Sequence, residues 1–179
     1  MKLVILDRDG TINEDSPDFI KSVAEWKPIP GSIEAIARLS HAGFRVFIAS
    51  NQSGIGRGLL DFDALFAIHD RLQRAVSEIG GHIDAIAFAP DHPDNATDLR
   101  KPSPGMIKDL GKRLQVDLGK VPLIGDSMGD VRAARAAGCQ PILVRTGNGR
   151  ATEEAHASDL AGVPVYADLA EAATALIAA

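Results

Sequence analysis

The sequence predicts an α/β protein in which helices cover both faces of a doubly wound parallel sheet. Short apolar runs bounded by turn residues recur along the chain, and such runs are typical of strands buried on both faces. Segments in which apolar residues repeat at helical spacing separate most of these runs. Regular alternation of strand and helix is the pattern of an open parallel sheet with helices on each face.

The predicted strands are the apolar runs at residues 3–6, 44–49, 83–88, 121–124, 141–144 and 163–166. The predicted helices cover residues 32–42, 61–79, 104–115, 129–137 and 168–178. Ser103 is a suitable N-cap for the third helix, and Pro104 suits its first turn. No repeat or linker divides the pattern, so we expect one domain over residues 1–179.

Composition narrows the class of protein. The chain has 179 residues, is 45% hydrophobic and carries a net charge of −5, which disfavours nucleic acid as a partner. Its single cysteine, Cys139, cannot form an intrachain disulfide and fits a reducing compartment. No apolar run approaches the length of a membrane span. We therefore expect a cytoplasmic protein without a membrane partner, and the modest size of the chain makes a monomer the expectation.

Polar residues with catalytic chemistry follow several of the predicted strands. Asp7 and Asp9 follow the first, Ser50 follows the second, and Asp126 follows the fourth, while Lys101 precedes a helix. Ligands of open α/β sheets bind at the carboxyl ends of the strands. We therefore expect these side chains to meet at one edge of the sheet.

Together these residues suit phosphoryl transfer. Asp7 and Asp126 offer carboxylate oxygens to Mg²⁺, which offsets the repulsion between an anionic nucleophile and a phosphate. One aspartate of the Asp7/Asp9 pair can attack phosphorus, and the other can protonate the leaving oxygen and then activate water. Ser50 and Lys101 can bind the phosphoryl oxygens, where charge must be stabilised.

The motifs DRDGT (7–11), SNQSGIGRG (50–58), RKPSPGM (100–106), GDSMGD (125–130) and LVRTGNG (143–149) extend this pattern. In this order they resemble the haloacid dehalogenase (HAD) superfamily of phosphatases. The resemblance implies Asp7 as nucleophile, Asp9 as general acid/base, and Ser50 and Lys101 as phosphate-binding residues. It also implies that Mg²⁺ is bound by Asp7, Asp126 and the backbone carbonyl of Asp9.

The role of Asp130 stays open between two interpretations. It can support the metal through a water molecule, or it can be an acidic residue that stabilises the start of a helix.

Within the superfamily, the motifs are similar to the subfamily of heptose-bisphosphate and histidinol phosphatases. This implies removal of the 7-phosphate from D-glycero-D-manno-heptose 1,7-bisphosphate through an aspartyl phosphate, with histidinol phosphate or another small metabolite as the alternative substrate. A phospho-accepting signalling domain also pairs a strand-end aspartate with Mg²⁺ and lysine. Asp9 disfavours that interpretation, because the acceptor strand of such domains lacks a second aspartate two residues later.

Two expectations concern what the chain lacks relative to this superfamily. Many members insert a cap domain, but the segments 10–49 and 51–100 are too short for one beside their predicted helices and strands. Subfamily members typically bind a structural zinc in the loop after the third strand. Here Ala89 and Asp91 stand at ligand positions and only His92 remains, so we expect no structural zinc.

Substrate contacts are implied by the same resemblance. Arg100 would recognise the sugar or its second phosphate, because a guanidinium can donate two hydrogen bonds to one phosphate. The predicted substrate-binding residues are Asp15, Ser16, Pro17, Asp18, Asn51, Gln52, Ser53, Arg57 and Arg100.

Overall fold

A computed structural model describes residues 2–179; residue 1, part of the predicted domain, lies outside the described residues. The strands are β1 (Lys2–Leu6), β2 (Phe44–Asn51), β3 (Ala85–Ala89), β4 (Pro122–Gly125), β5 (Gln140–Val144) and β6 (Val165–Tyr166). The helices are α1 (Ser32–His41), α2 (Ser53–Gly56), α3 (Phe62–Glu78), α4 (Gly105–Leu114), α5 (Met128–Ala137), α6 (Gly149–Ala155) and α7 (Leu169–Ala178). Two 3₁₀ turns cover Pro93–Asn95 and Leu118–Lys120.

The strands form one sheet in the order β3-β2-β1-β4-β5-β6, and every neighbouring pair is parallel. The chain winds outward from β1 in one direction through β2 and β3, then returns to β4 on the other side of β1. The crevice between β1 and β4 is therefore the switch point at which open α/β sheets bind ligands.

β1 explains why the core lies on both faces of the sheet. Successive side chains of a strand point to opposite faces. Val4 and Leu6 pack in a core with residues of α1, α3 and α7, whereas Leu3 and Ile5 pack in a second core with residues of α4 and α5. An uninterrupted apolar run is thus what a central strand of this fold requires.

The structure confirms the predicted fold class, all six strands and all five predicted helices. It differs at some boundaries: β3 begins two residues later than the apolar run at 83–88. It also contains α2 and α6, which the sequence analysis did not predict. Both are two turns or shorter, so they are too short to show a helical repeat of apolar residues.

No inserted cap domain lies among the described residues between β1 and α1. Instead residues 14–27, here called the flap, form a loop closed by a hydrogen bond from Glu14 N–H to the Lys27 carbonyl at 2.9 Å. Ile20 and Trp26 anchor the flap, since each is only 6% exposed and packs in the core beneath α1. Within residues 2–179, every helix is too short or too polar to cross a bilayer.

Candidate active site

Asp7 is the first residue after β1 and lies at the centre of the sheet's carboxyl edge. Its backbone N–H donates to the Ile124 carbonyl at 2.8 Å, which extends the pairing of β1 with β4 by one residue. Its Oδ1 accepts a hydrogen bond from the Arg8 backbone N–H at 2.8 Å. The backbone and side chain of Asp7 are thus both held at the switch point.

Lys101 contacts Asp7 across the crevice. Its Nζ lies 2.8 Å from Asp7 Oδ1 and 2.6 Å from Asp130 Oδ1, and it donates to the Ala49 carbonyl at 2.7 Å. All three N–H groups of the ammonium therefore have acceptors. Burial by itself lowers the pKa of Lys101, but the Asp130 and Asp7 carboxylates outweigh it and raise this pKa overall. Lys101 is a fixed positive charge beside the candidate nucleophile.

Three carboxylates converge at the same place. Asp7, Asp126 and Asp130 each place one oxygen within 4.8 Å of the other two. Asp126 follows β4, and Asp130 lies in the first turn of α5. Hard oxygen donors of this kind are what Mg²⁺ prefers. The predicted pair of Asp7 and Asp126 is therefore brought together, while the predicted contribution of the Asp9 carbonyl stays a prediction.

The electrostatics of these carboxylates suit a cation. Burial, followed by repulsion from Asp130, raises the pKa of Asp7 well above its usual range, and Lys101 opposes the shift. Burial and Asp130 also raise the pKa of Asp126 to about 7, while the Asn148 N–H opposes. A divalent cation favours the ionised forms of carboxylates that bind it. The donor set therefore fits a magnesium ion.

Asp9 has a different environment from the three clustered carboxylates. Its Oδ1 accepts from Arg8 Nε and from Asn13 Nδ2, each at 2.9 Å. Its Oδ2 accepts from Arg8 Nη2 at 3.1 Å and from Gln52 Nε2 at 2.9 Å. The Asp9 side chain stays 22% exposed. The two aspartates of the DRDGT motif thus have different partners. Asp7 contacts the Lys101 ammonium, whereas Asp9 accepts hydrogen bonds from Arg8, Asn13 and Gln52.

The end of β2 supplies a hydroxyl and an amide. Ser50 is 1% exposed, and its Oγ accepts from Gln52 Nε2 at 2.8 Å. Asn51 exchanges two hydrogen bonds with the Lys101 backbone: Nδ2 donates to the carbonyl at 2.9 Å, and Oδ1 accepts from the N–H at 3.0 Å. Asn51 therefore holds the segment that carries the Lys101 side chain.

An open cavity of about 350 Å³ lies at the carboxyl edge of the sheet over Asp7, Asp9 and Lys101, whereas Ser50 lies outside its lining. The lining residues are Asp7, Asp9, Asp15, Ser16, Pro17, Phe19, Asn51, Lys101, Asp126, Ser127, Gly129, Asp130 and Asn148. A cavity with a lysine, three clustered acids and a fourth acid held apart provides the groups that phosphoryl transfer requires.

Comparisons with known proteins agree with this chemistry. The HAD-hydrolase-like family profile matches residues 98–172. The D-glycero-β-D-manno-heptose-1,7-bisphosphate 7-phosphatase of Bordetella bronchiseptica is 54% identical over 152 residues, which are 85% of each chain. The Pseudomonas aeruginosa protein of the same name is 51% identical over 175 residues, 98% of this chain and 97% of that one. This chain belongs to the heptose-bisphosphate phosphatase family.

A solved structure extends the match to the fold. The D,D-heptose 1,7-bisphosphate phosphatase of B. bronchiseptica, complexed with magnesium and phosphate, superposes with a TM-score of 0.95 and is 49% identical. The match covers 99% of both chains. Membership of the heptose-bisphosphate phosphatase family therefore rests on sequence and on structure alike.

The flap contributes part of the predicted substrate-binding set in this member of the family. Asp15, Ser16 and Pro17 line the active-site cavity, and Asn148 Nδ2 donates to Asp15 Oδ2 at 3.1 Å. Asp18 is exposed and lies outside the cavity lining, where its backbone carbonyl accepts from Lys21 Nζ at 2.6 Å. A substrate contact by Asp18 stays a prediction.

Gln52 and Ser53 are buried at 5% and 9% exposure and lie outside the cavity lining. Both polar atoms of the Gln52 side-chain amide already bond within the protein: Nε2 donates to Asp9 and Ser50, and Oε1 accepts from Arg8. The predicted contact of Gln52 with substrate would therefore compete with these bonds.

Arg57 and Arg100 lie outside the cavity lining and near each other. Burial lowers the pKa of Arg100, and Arg57 adds to the effect, whereas Asp91 opposes it. Nη1 of Arg100 is buried without a hydrogen-bond partner among residues 2–179. Two neighbouring guanidiniums, one of them with an unpaired buried donor, favour an anionic ligand, as the predicted contact with a second phosphate requires.

Several residues that hydrogen-bond the carboxylates of this site were not predicted from the sequence. Arg8 and Asn13 hold Asp9, and Asn148 donates to Asp126 Oδ2 from its backbone N–H at 2.7 Å. Arg8 had no signal beyond its position between two aspartates. Asn148 belongs to the quoted LVRTGNG motif, so its position after a predicted strand could have indicated it.

Asp130 is an acidic residue at the start of a helix, which is one of its two predicted roles, while its support of the metal through a water molecule stays a prediction. It forms a capping box with Ser127 at the start of α5, in which the Asp130 N–H donates to Ser127 Oγ at 3.4 Å and the Ser127 N–H donates to Asp130 Oδ2 at 3.1 Å. It also belongs to the carboxylate cluster and pairs with Lys101. The residue that caps α5 therefore also lies beside the two aspartates predicted to bind the metal.

Proposed function

We propose that this protein is a Mg²⁺-dependent phosphomonoesterase that removes the 7-phosphate of D-glycero-β-D-manno-heptose 1,7-bisphosphate. The observation that carries the chemistry is the contact of Lys101 with Asp7 inside the three-carboxylate cluster at the switch point. The names of the relatives supply the substrate and its anomer. The family assignment also makes the receiver-type signalling role the weaker interpretation.

In the first half-reaction, a carboxylate oxygen of Asp7 attacks phosphorus and forms an aspartyl phosphate. The bond between phosphorus and the C7 oxygen breaks, and Asp9 gives its proton to that oxygen as it leaves. Lys101 and Ser50 stabilise the negative charge on the phosphoryl oxygens. The sugar departs with its 1-phosphate intact.

In the second half-reaction, Asp9 takes a proton from a water molecule as the water attacks phosphorus. The bond between Asp7 and phosphorus breaks, which restores the carboxylate and releases inorganic phosphate. Asp9 ends protonated and ready for the next substrate. Two carboxylates in different environments can thus serve as nucleophile and as acid/base.

Asp7, Asp126 and the Asp9 carbonyl would hold the magnesium ion, and Asp130 stands beside them. When bound, the ion supplies positive charge that offsets repulsion between the carboxylates and the phosphate.

Several assignments are proposed on the substrate side. Asp15, Ser16, Pro17 and Asp18 would cover the leaving sugar, and Arg57 with Arg100 would bind its second phosphate. The nearness of Arg57 to Arg100 supports this part of the proposal. Asn51 and Ser53 would contribute from the end of β2.

The protein is further proposed to act as one domain over residues 1–179, as a monomer in the cytoplasm, without nucleic-acid or membrane partners. The net charge of −5 and the single buried cysteine, Cys139, support this. Size-exclusion chromatography with light scattering tests the oligomeric state, and a mass of twice the monomer would contradict it.

The experiment that tests the function compares four substrates, with and without Mg²⁺. These are the two anomers of heptose 1,7-bisphosphate, histidinol phosphate and fructose 1,6-bisphosphate. We expect Mg²⁺-dependent phosphate release that favours the β heptose anomer, and loss of that release in Asp7→Asn because the amide cannot form the acyl phosphate.

Asp109→Asn is the matched control, because Asp109 is a surface residue paired with Arg113 at 2.7 Å. This variant should keep wild-type activity. Comparable turnover of all four substrates would contradict heptose bisphosphate as the substrate. Phosphate release that survives Asp7→Asn would contradict Asp7 as the nucleophile.

A further inference from the structure

We infer that Arg8 and Gln52, together with Asn13, are positioning residues that aim the Asp9 carboxylate at the leaving-group oxygen. The inference rests on the proposed function, since it deepens the role of Asp9 in that reaction. It assigns a task to Arg8 and Asn13, for which the motifs implied none, and it changes the task of Gln52.

The hydrogen bonds around Asp9 occupy both carboxylate oxygens. Two N–H donors reach Oδ1, from Arg8 Nε and Asn13 Nδ2, and two reach Oδ2, from Arg8 Nη2 and Gln52 Nε2, all at 2.9–3.1 Å. An ionised carboxylate accepts about four hydrogen bonds, so these donors surround the ionised form of Asp9, and the proton of the acid form takes the place of one of them. Because the donors come from three residues and lie on both oxygens, rotation of the carboxylate would break several bonds at once.

Arg8 makes the most demanding of these contacts. Its side chain is 0% exposed and its Nη1 has no hydrogen-bond partner among residues 2–179, so the bonds of Nε and Nη2 are what offset the loss of water around the guanidinium. The fork of Nε and Nη2 matches the two oxygens of Asp9, and Nη2 also donates to Gln52 Oε1 at 3.2 Å. A buried arginine that bonds to the neighbouring residue in sequence fixes that residue's side chain.

The backbone turns back on itself so that this pairing can form. Neighbouring side chains of an extended strand point in opposite directions, so Arg8 and Asp9 could not meet within β1. The chain leaves β1 after Leu6, and the Arg8 carbonyl then accepts from the N–H of Ile12 at 2.8 Å. This tight turn brings the Asn13 side chain to Asp9 as well.

Gln52 connects Asp9 with the phosphate-binding side of the site. Its Nε2 bonds to Asp9 Oδ2 at 2.9 Å and to Ser50 Oγ at 2.8 Å. The bond from Arg8 Nη2 to Oε1 sets which end of the amide is the donor. Gln52 thus holds the acid/base and the phosphoryl-binding hydroxyl at a fixed separation, which is what an in-line reaction needs.

The test uses two substrates that differ in their need for an acid. A sugar alkoxide leaves poorly without a proton, whereas 2,4-dinitrophenolate leaves readily as an anion. Loss of a correctly placed acid should therefore lower kcat/KM for the sugar bisphosphate far more than for 2,4-dinitrophenyl phosphate. General acid catalysis contributes about 10²–10⁴-fold, which sets the size of the expected difference.

The variants are Gln52→Met and Arg8→Met, with Asp9→Asn as the benchmark for complete loss of the acid. We expect Gln52→Met to lower kcat/KM for the heptose bisphosphate by about 10²-fold while the aryl phosphate loses less than about fivefold. Arg8→Lys should recover little, because an ammonium lacks the planar fork. Gln73→Met, the same change at an exposed position of α3, should alter neither substrate.

Equal losses for both substrates in Gln52→Met would overturn the inference, because general damage to the site does not depend on the leaving group. If Arg8→Met fails to fold, Gln52→Met and Arg8→Lys carry the test, with circular dichroism as the check on folding. A wild-type protein that hydrolyses neither compound with Mg²⁺ would overturn the proposed function and this inference with it. An active wild type with an unchanged substrate ratio in the variants would overturn only the inference.

Discussion

His69 on α3 is a buried histidine close to the active site. Its side chain is 6% exposed, its ring lies 5.8 Å from the Phe88 ring, and Nε2 has no hydrogen-bond partner among residues 2–179. Burial, followed by the nearby Arg8 cation, lowers the pKa of His69 to about 4, and Asp9 opposes the shift. The folded protein therefore holds this imidazole neutral.

This residue predicts a pH-dependent stability. The ordinary pKa of histidine is about 6.5, so between about pH 6.5 and 4 the unfolded chain binds a proton that the folded chain does not. Stability that is present above pH 6.5 is thus lost as the pH falls through this window. The loss from His69 alone between pH 7.5 and pH 5 should be about 2 kcal/mol, measured by urea unfolding at both values.

His69→Gln removes the titrating group, so its free energy of unfolding should fall less over the same interval. The comparison uses the difference between two pH values, so a constant packing defect in the variant cancels. His82→Gln, at an exposed position, should behave like the wild type. Equal pH slopes for wild type and His69→Gln would contradict the neutral, buried state.

At the scale of one element, the loop of residues 89–100 contains no cysteine and is ordered by hydrogen bonds. Asp91 Oδ2 accepts from Thr97 N–H at 2.7 Å and from Thr97 Oγ1 at 2.6 Å, and these bonds lower the pKa of Asp91. The Gly56 N–H donates to the Pro90 carbonyl at 2.9 Å, and the Gly105 N–H donates to the Asp98 carbonyl at 2.9 Å. Hydrogen bonds at both ends and across the middle order the loop that leads to Arg100.

Thr97→Val tests this account, because valine keeps the β-branched shape and loses the hydroxyl donor. A hydrogen bond to a carboxylate contributes about 1 kcal/mol at such a partly exposed site. Amide exchange of residues 91–97 should therefore become about fivefold faster, as measured by mass spectrometry.

Thr174→Val on α7 is the control for this loop, since it loses the same group far from it. It should leave exchange of residues 91–97 unchanged. Exchange in Thr97→Val equal to that of the wild type would show that the Asp91–Thr97 contact does not order the loop.

At the scale of the whole molecule, the site depends on the close approach of loops from different strands. Gly10 follows β1 and Gly147 follows β5, and a Cβ at either position would overlap Asp126 Oδ2 after β4. Gly10 also has a φ of +78°, which side chains other than glycine rarely adopt. Three segments of the chain can therefore meet around one carboxylate only because two of them lack a side chain.

Gly10→Ala should consequently disrupt both stability and the acidic cluster. Gly43→Ala separates the two effects, because Gly43 has a φ of +82° and no atom within 4 Å of its built Cβ. Backbone strain alone should cost Gly43→Ala about 1–2 kcal/mol in urea unfolding. Gly10→Ala should cost more, and it should also lose the stabilisation by Mg²⁺ that the wild type gains.

Equal destabilisation of the two variants would mean that Asp126 moves aside at no cost. Retained Mg²⁺ stabilisation in Gly10→Ala would contradict the placement of the metal at Asp126. Both results come from the same unfolding curves with and without Mg²⁺.

Much of the fold, and the set of residues at the carboxyl ends of the strands, could be predicted from the amino-acid sequence. Apolar runs identified every strand, and strand ends identified Asp7, Ser50 and Asp126. The strands were confirmed, and the side chains lie together because parallel strands bring their carboxyl ends to one edge whatever the details of packing. Lys101 was found through its motif and its Nζ lies 2.8 Å from Asp7 Oδ1, while the catalytic roles of all four residues stay predictions.

The positions of the substrate-binding residues could not be predicted as fully from the sequence. Asp15 lines the cavity whereas the exposed Asp18 does not, although both belong to one short flap segment. Arg57 and Arg100 come together from segments more than forty residues apart. Loop paths have no periodic signal in sequence, because they depend on turns and contacts at single positions.

The sequence by itself therefore determined the sheet, its switch point and the acids and lysine that meet there, because hydrophobic periodicity and strand order dictate them. Only the tertiary structure decided which groups each acid faces. The turn after β1 folds Arg8 onto Asp9, and α5 directs Asp130 to Lys101. These pairings depend on side-chain directions and on the energetic need to satisfy buried charges, and neither is visible until the chain has folded.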